Sequence, residues 1–163
     1  MAAVISSPPC LTIDANVAVA LSAKEVDKYE TAKRELWKYA RDGYQFYAPG
    51  VIVAECLFVL CKKLNEGSLS SADHAAAVAE FSLFMSMVLP PPNGDGSLVN
   101  RAEEIRKSYG CSRSADGIYL ALAEELAGNG TAELLTFDSG LVNQARHASG
   151  VAVRLLLPTP ALP

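Results

Sequence analysis

A chain of 163 residues has room for one domain in which helices cover both faces of a sheet. Half of the residues are apolar and 20% are charged, which argues against a disordered chain. The formal charge of -4 argues against a protein that coats nucleic acid by bulk positive charge. Leu11-Thr12-Ile13 is a short apolar run that ends in Asp14, and a helical pattern follows at once. That reads as the central strand of a parallel sheet with Asp14 at its carboxyl end, where open α/β folds place ligands. A helix N-cap is the alternative role for such an acid.

Ala15 to Ser22 predicts a short helix and Glu25 to Arg41 a longer one, with Val26, Tyr29, Ala32, Leu36 and Tyr39 at helical spacing. Lys28, Lys33, Arg34 and Lys38 fall elsewhere on it and read as a solvated face before an RNA-facing one. Tyr44 to Ala48 is short and aromatic enough for a second strand. Pro49-Gly50 opens a third helix, Val51 to Asn65, whose first turns are apolar nearly all round and predict burial on most sides. Glu55 is the only charge in that run, so it needs a buried partner such as Arg or Tyr, or a bound cation.

Ser70 to Leu89 predicts a helix with a capping box at Ser70 and Asp73 and an apolar face including Val78, Phe81, Leu83 and Phe84. Pro90 to Gly96 is a loop, preceded by a very short strand at Val88 and Leu89. Helical spacing resumes from Ser97 to Tyr109 and again from Ile118 to Leu126, after Cys111-Ser112-Arg113-Ser114-Ala115-Asp116-Gly117. Leu134 to Phe137 is a β-prone run leading into Asp138, followed by a helix from Ser139 to about His147 and a last strand from Val151 to Leu157. The expected organisation is one domain over residues 1–157 with a loose Pro-rich tail at 158–163. Strands alternating with helices imply a doubly wound, mostly parallel α/β sheet.

Cys10, Cys56, Cys61 and Cys111 contain no CxxC pair, and Cys56 and Cys61 read as small core residues, so a reducing cytoplasm is the expected compartment. No signal peptide is expected in Met1 to Pro9, and Glu55 and Lys62 interrupt the best candidate for a membrane span.

Asp14 and Asp138 each follow a strand, Asp116 opens a helix, and Glu55 lies one turn into another. In a parallel sheet these positions share one rim, so four carboxylates are expected to converge. Singly, Asp116 and Asp138 also read as cap or first-turn acids that complement a helix dipole. Together they would repel and take up protons unless a cation compensates them. Oxygen ligands suit Mg2+ or Mn2+, which can activate water and stabilise an in-line phosphoryl displacement. Metal-dependent phosphodiester hydrolysis is therefore the leading expectation. The two histidines, His74 and His147, carry no accompanying motif, and GxxxxGK[ST], GxGxxG and GxSxG are all absent.

Four pieces in order, Ile13-Asp14-Ala15-Asn16-Val17, Val53-Ala54-Glu55, Ser114-Ala115-Asp116-Gly117-Ile118-Tyr119-Leu120-Ala121-Leu122-Ala123 and Leu135-Thr136-Phe137-Asp138, resemble the PIN-domain ribonucleases, including the VapC-type toxins. The resemblance implies a three-layer α/β/α sandwich and a metal-dependent endoribonuclease that cuts RNA. It also implies that Asp14, Glu55 and Asp116 are the principal acids, with Asp138 as a more variable fourth. Asn16 and Thr136 match polar residues that brace the site or contact metal-bound water. Family members commonly form homodimers or higher homo-oligomers, and the toxins bind an antitoxin that blocks the site. The Pro/Gly-rich stretch from Pro90 to Gly96 and the Pro-rich tail go beyond a minimal toxin. Arg106, Lys107 and Arg113, just before the Asp116 helix, are candidates to meet an RNA backbone, with solvated charge as the plain alternative. Two rival readings are a catalytically silent module of the same fold that binds a basic protein or RNA partner, and a receiver-like phosphoryl acceptor.

Overall fold

The computed structural model describes residues 7–111 and 115–159. Strands β1 (Cys10–Ile13), β2 (Gln45–Tyr47), β3 (Ala132–Thr136) and β4 (Ala152–Leu155) form one sheet in the order β2-β1-β3-β4. Every pairing is parallel, with Ile13 beside Leu135 and Thr136 beside Leu155. Seven α-helices are described: α1 (Ala15–Ser22), α2 (Tyr29–Arg41), α3 (Val51–Asn65), α4 (Ser71–Met85), α5 (Asp95–Ser108), α6 (Asp116–Ala127) and α7 (Ser139–Gln144). A 3-10 turn, Ala145–His147, continues α7. Leu11, Thr12 and Ile13 are all fully buried, as are Leu134, Leu135 and Thr136. Since successive strand residues face opposite sides, helices cover both faces of the central strands, as the three-layer expectation requires.

Parallel pairing sets the geometry of the site. β1 and β3 lie side by side and end together, and the Asp14 N–H donates to the Leu135 carbonyl at 3.1 Å, one step beyond the last strand pair. α1, α3 and α7 each begin just past the carboxyl end of a strand, while α6 runs back toward the start of β3 and packs on β1 and β3. The first turns of these helices therefore share one rim.

Local chemistry explains most element ends. Ser70 Oγ accepts from the Asp73 N–H at 3.1 Å and donates to the Asp73 carboxylate at 2.6 Å, which fixes the start of α4. The long helix expected from Glu25 begins instead at Tyr29. Lys24 takes a left-handed backbone (φ 50°), and Lys63 reaches Glu25 at 2.7 Å, tying this turn to the end of α3. Val26 is consequently 99% exposed rather than part of a core face. α4 stops at Met85, and Leu89 forms a bridge to Tyr47 in the place of the expected short strand.

Helix α3 departs most from expectation. Ile52, Cys56 and Leu60 are buried, but Val53, Leu57, Phe58 and Cys61 are exposed. An apolar sequence reports what a helix is able to bury and not what is there to cover it. Leu83 on α4 is likewise exposed, while Phe81 and Phe84 pack inward. The end of the chain is attached at residue 159, where Thr159 donates its N–H to the Asp27 carbonyl and its hydroxyl meets that of Thr31. Residues 160–163 of the expected tail lie outside the described residues. Among the described residues no helix is long and apolar enough to cross a membrane.

Candidate functional site

Asp14 occupies the N-cap position of α1, yet its side chain makes no capping bond. The carboxylate turns to the neighbouring strand end instead, where Oδ2 accepts from Thr136 Oγ1 at 2.6 Å and from Asn16 Nδ2 at 2.7 Å. Asn16 Oδ1 in turn accepts the Phe137 N–H at 3.0 Å, and Thr136 Oγ1 accepts the Asp138 N–H at 2.9 Å. Asn16 and Thr136 thus lock one carboxylate against the ends of β1 and β3. Such bonds to a buried acid fix its rotamer and are stronger than bonds between neutral groups.

Glu55 is half-buried on the first turns of α3, and Tyr119 of α6 donates to its Oε2 at 2.7 Å. Tyr119 is itself 1% exposed, so the pair clips α3 to α6 through the interior. Asp116 is the first residue of α6, and its Oδ2 accepts from Nε2 of Gln144, the last residue of α7. Asp138 is exposed and caps α7 by accepting the Gly140 N–H at 2.6 Å.

Electrostatics ties three of the four acids together. Burial pushes the Asp14 carboxyl up to about 7, the bond from Thr136 offsets part of this, and the charges of Asp116 and Glu55 raise it further. Burial also raises Glu55, again with Asp116 contributing. Asp116 thus bears on both Asp14 and Glu55 from the space between the end of β1 and the starts of α3 and α6. The neighbouring Cys56 thiol is pushed up to about 12 by burial and by Glu55 and Asp14, which makes it an inert packing group.

The donor set around that space is carboxyl oxygen, hydroxyl and amide, which suits a hard divalent cation and not zinc. Gln144 Oε1 is buried with no hydrogen-bond partner, an orphaned oxygen on the amide that touches Asp116. Among the described residues no group of three Asp, Glu, His or Cys side chains is arranged to hold a metal ion by itself. A cation that retains several waters, as Mg2+ commonly does, needs only a few of these oxygens directly.

Of the candidate RNA contacts, Arg106 is in the last turn of α5 with its aliphatic stem close to Gly117, and its Nη1 lies 4.0 Å from Glu103. Lys107 beside it is exposed, and Arg113 lies outside the described residues. Tyr119 and Gln144 did not stand out individually in the sequence. Gln144 leaves a faint signal, because it is a polar side chain three residues after buried Leu141 and so falls on the packed face of α7.

Comparison with known proteins gives this arrangement a relationship. VapBC2 of Rickettsia felis, determined bound to a DNA fragment from its promoter, superposes with a TM-score of 0.62 and 11% identity over 91% of this chain and 99% of that one. FitAcB of Neisseria gonorrhoeae superposes with a TM-score of 0.56 and 19% identity over 88% of this chain and 95% of that one. At such identities the likeness speaks for the fold alone. No curated protein matches the chain. The PIN domain model matches residues 11–147, which take in Asp14, Glu55, Asp116 and Asp138, and the chain belongs to the PIN domain family.

Proposed function

We propose that this protein is an endoribonuclease that depends on Mg2+ or Mn2+ and hydrolyses RNA phosphodiester bonds in the cytoplasm. What supports the reading is the placement of Asp14 just past β1, Glu55 in the first turns of α3 and Asp116 at the start of α6, with the charges of Asp116 and Glu55 raising the Asp14 carboxyl. Among the described residues no Lys or Arg forms an ion pair with Asp14 or Glu55, so an external cation is the natural counter-charge. Membership of the PIN family supports it, since PIN domains are generally nucleases.

Asp14, Glu55 and Asp116 would hold the ion, with Asp138 in the outermost place. A bound divalent ion supplies an activated water and charge stabilisation for an in-line displacement at phosphorus. The chain's own contribution is position. Thr136 and Asn16 hold Asp14 Oδ2, Tyr119 holds Glu55 Oε2, and the bond from Gln144 holds Asp116. Arg106 and Lys107 at the end of α5 supply positive charge to meet the RNA backbone.

The reading extends to partners. The structural neighbours VapBC2 and FitAcB support assigning this chain to the toxin side of a toxin–antitoxin pair. The exposed apolar residues Val53, Leu57 and Phe58 on α3 support self-association. A second reading, a silent module that binds a partner without turnover, draws on the lack of a ready-made three-side-chain metal group among the described residues.

The test is cleavage of single-stranded and hairpin RNA by the wild-type protein and by Asp14→Asn, in Mn2+ and in EDTA. Cleavage is expected only for wild type with metal. Cleavage that survives Asp14→Asn or EDTA rejects the mechanism, and a folded wild type that never cleaves favours the silent module.

A further inference from the structure

Two buried side-chain atoms have no hydrogen-bond partner among the described residues, Thr12 Oγ1 and Gln144 Oε1, and only Gln144 is bonded to an acid of the site. Gln144 is 5% exposed and ends α7, packed inward beside Leu141. Its amide has a definite orientation. Nε2 donates to Asp116 Oδ2, and the reverse placement would set the amide oxygen against a carboxylate oxygen, so the charge of Asp116 dictates which atom faces it. Both amide atoms hang from one carbon, so Oε1 stays beside the same carboxylate.

An unsatisfied buried acceptor typically costs about 1–3 kcal/mol, and folded proteins carry few of them. A leucine or methionine at this position would fill the space without that cost. The chain keeps a carboxamide, half of it committed to Asp116 and half of it unused.

We propose that Gln144 is a positioning residue of the acidic site: Nε2 holds the Asp116 carboxylate in one orientation, and Oε1 accepts a hydrogen bond from water that enters with a divalent cation. This rests on the proposed metal-dependent function and adds to it a neutral oxygen, from the last turn of α7, as the fourth polar contributor beside Asp14, Glu55 and Asp116. It also gives Asp138 a second, indirect part. Capping by Asp138 fixes the start of α7, and α7 delivers Gln144 to Asp116 at its other end. Outer-shell partners of this kind typically change metal affinity by about 10–100-fold.

The experiment is calorimetric titration of Mn2+ into wild type, Gln144→Met and Gln144→Glu, with the melting temperature of each metal-free protein as the check on folding. Gln144→Met keeps the shape and removes both hydrogen-bonding atoms. It is expected to bind Mn2+ about 10–100-fold more weakly than wild type, with a metal-free melting temperature no lower than wild type's. Gln144→Glu keeps an acceptor oxygen but loses the Nε2 donor and sets a second carboxylate against Asp116, so its metal-free melting temperature is expected to fall below wild type's at pH 8, whereas a residue that does not meet Asp116 would leave it unchanged. A residue that only packs would leave Mn2+ affinity unchanged in Gln144→Met, because Met fills the same space. Equal affinity of wild type and Gln144→Met overturns this inference alone. Absence of Mn2+ binding in wild type overturns it together with the function on which it rests.

Discussion

Asp14 and Glu124 are both carboxylates drawn partly or wholly out of water, and their surroundings push them in opposite directions. Glu124 on α6 receives a two-pronged bond from Arg101 of α5, Nε to Oε1 at 2.8 Å and Nη2 to Oε2 at 3.0 Å, and the Ser149 N–H adds a third at 2.9 Å. Burial pushes Glu124 up, but Arg101 and Ser149 outweigh it and hold the carboxyl below its usual range. Asp14 has hydroxyl and amide donors but no cation, and two other acids bear on it, so it is left at about 7. The first acid is a clamp that joins α5, α6 and the segment before β4. The second is held where its charge is costly, an arrangement that clusters at functional sites.

That contrast can be broken at either end. Asp14→Asn carries the largest expected effect. RNA cleavage should fall more than about 100-fold, since even supporting residues around a metal typically cost 10–100-fold. The metal-free variant should melt no lower than wild type at pH 8, because a buried charge has gone. A cleavage assay and a thermal melt on one preparation check both. Next is Thr136→Val, which preserves shape but deprives Asp14 of its 2.6 Å donor and the Asp138 N–H of its acceptor. Cleavage should drop about 10–100-fold and stability by about 1–3 kcal/mol, read by denaturant titration.

Arg101→Ala tests the other side. It strands Glu124 and frees Glu104 and the His147 carbonyl, to which Arg101 also donates. The loss should be about 1–2 kcal/mol, at the low end because the Arg101 side chain is 35% exposed, with Mn2+ affinity unaltered. Were Mn2+ binding to weaken as well, the division between clamp and site would fail.

The smallest effect is a slope with pH. Asp14 has a folded value of about 7, above its ordinary 3.8, so between these limits the folded protein holds the proton more tightly than the unfolded chain. Its contribution is greatest below about 3.8 and is lost as pH rises toward 7. Glu124 runs the other way, since its lowered value contributes stability above the usual glutamate range that is lost as pH falls through the folded value. The metal-free melting temperature should therefore decline from pH 5 to 8, and Asp14→Asn should flatten that decline. An unchanged decline in the variant would assign it to another group.

Much of this was legible in the residues themselves. The helix predicted over Val51 to Asn65 and that over Ala15 to Ser22 coincide with α3 and α1, because each is bounded by a strand-ending or turn-forming residue. The capping box of Ser70 and Asp73 is local and so is visible locally. What could not be read depends on distant parts of the chain. Val26 leaves its helix because Lys63 holds Glu25, and Leu57 and Phe58 stand exposed because nothing among the described residues covers that face of α3. Glu55 was expected to need either a cation or a buried partner, and Tyr119, 64 residues away, is such a partner. Gln144 meets Asp116 across 28 residues, a contact that no periodicity encodes.

The central claim is that Asp14, Glu55 and Asp116 share one cation. Its most direct test is anomalous scattering from crystals of the protein grown with Mn2+. One peak bounded by oxygens of Asp14, Glu55 and Asp116, directly or through water, is the expected result. No peak there, or a peak that leaves Asp14 without contact, would contradict the account.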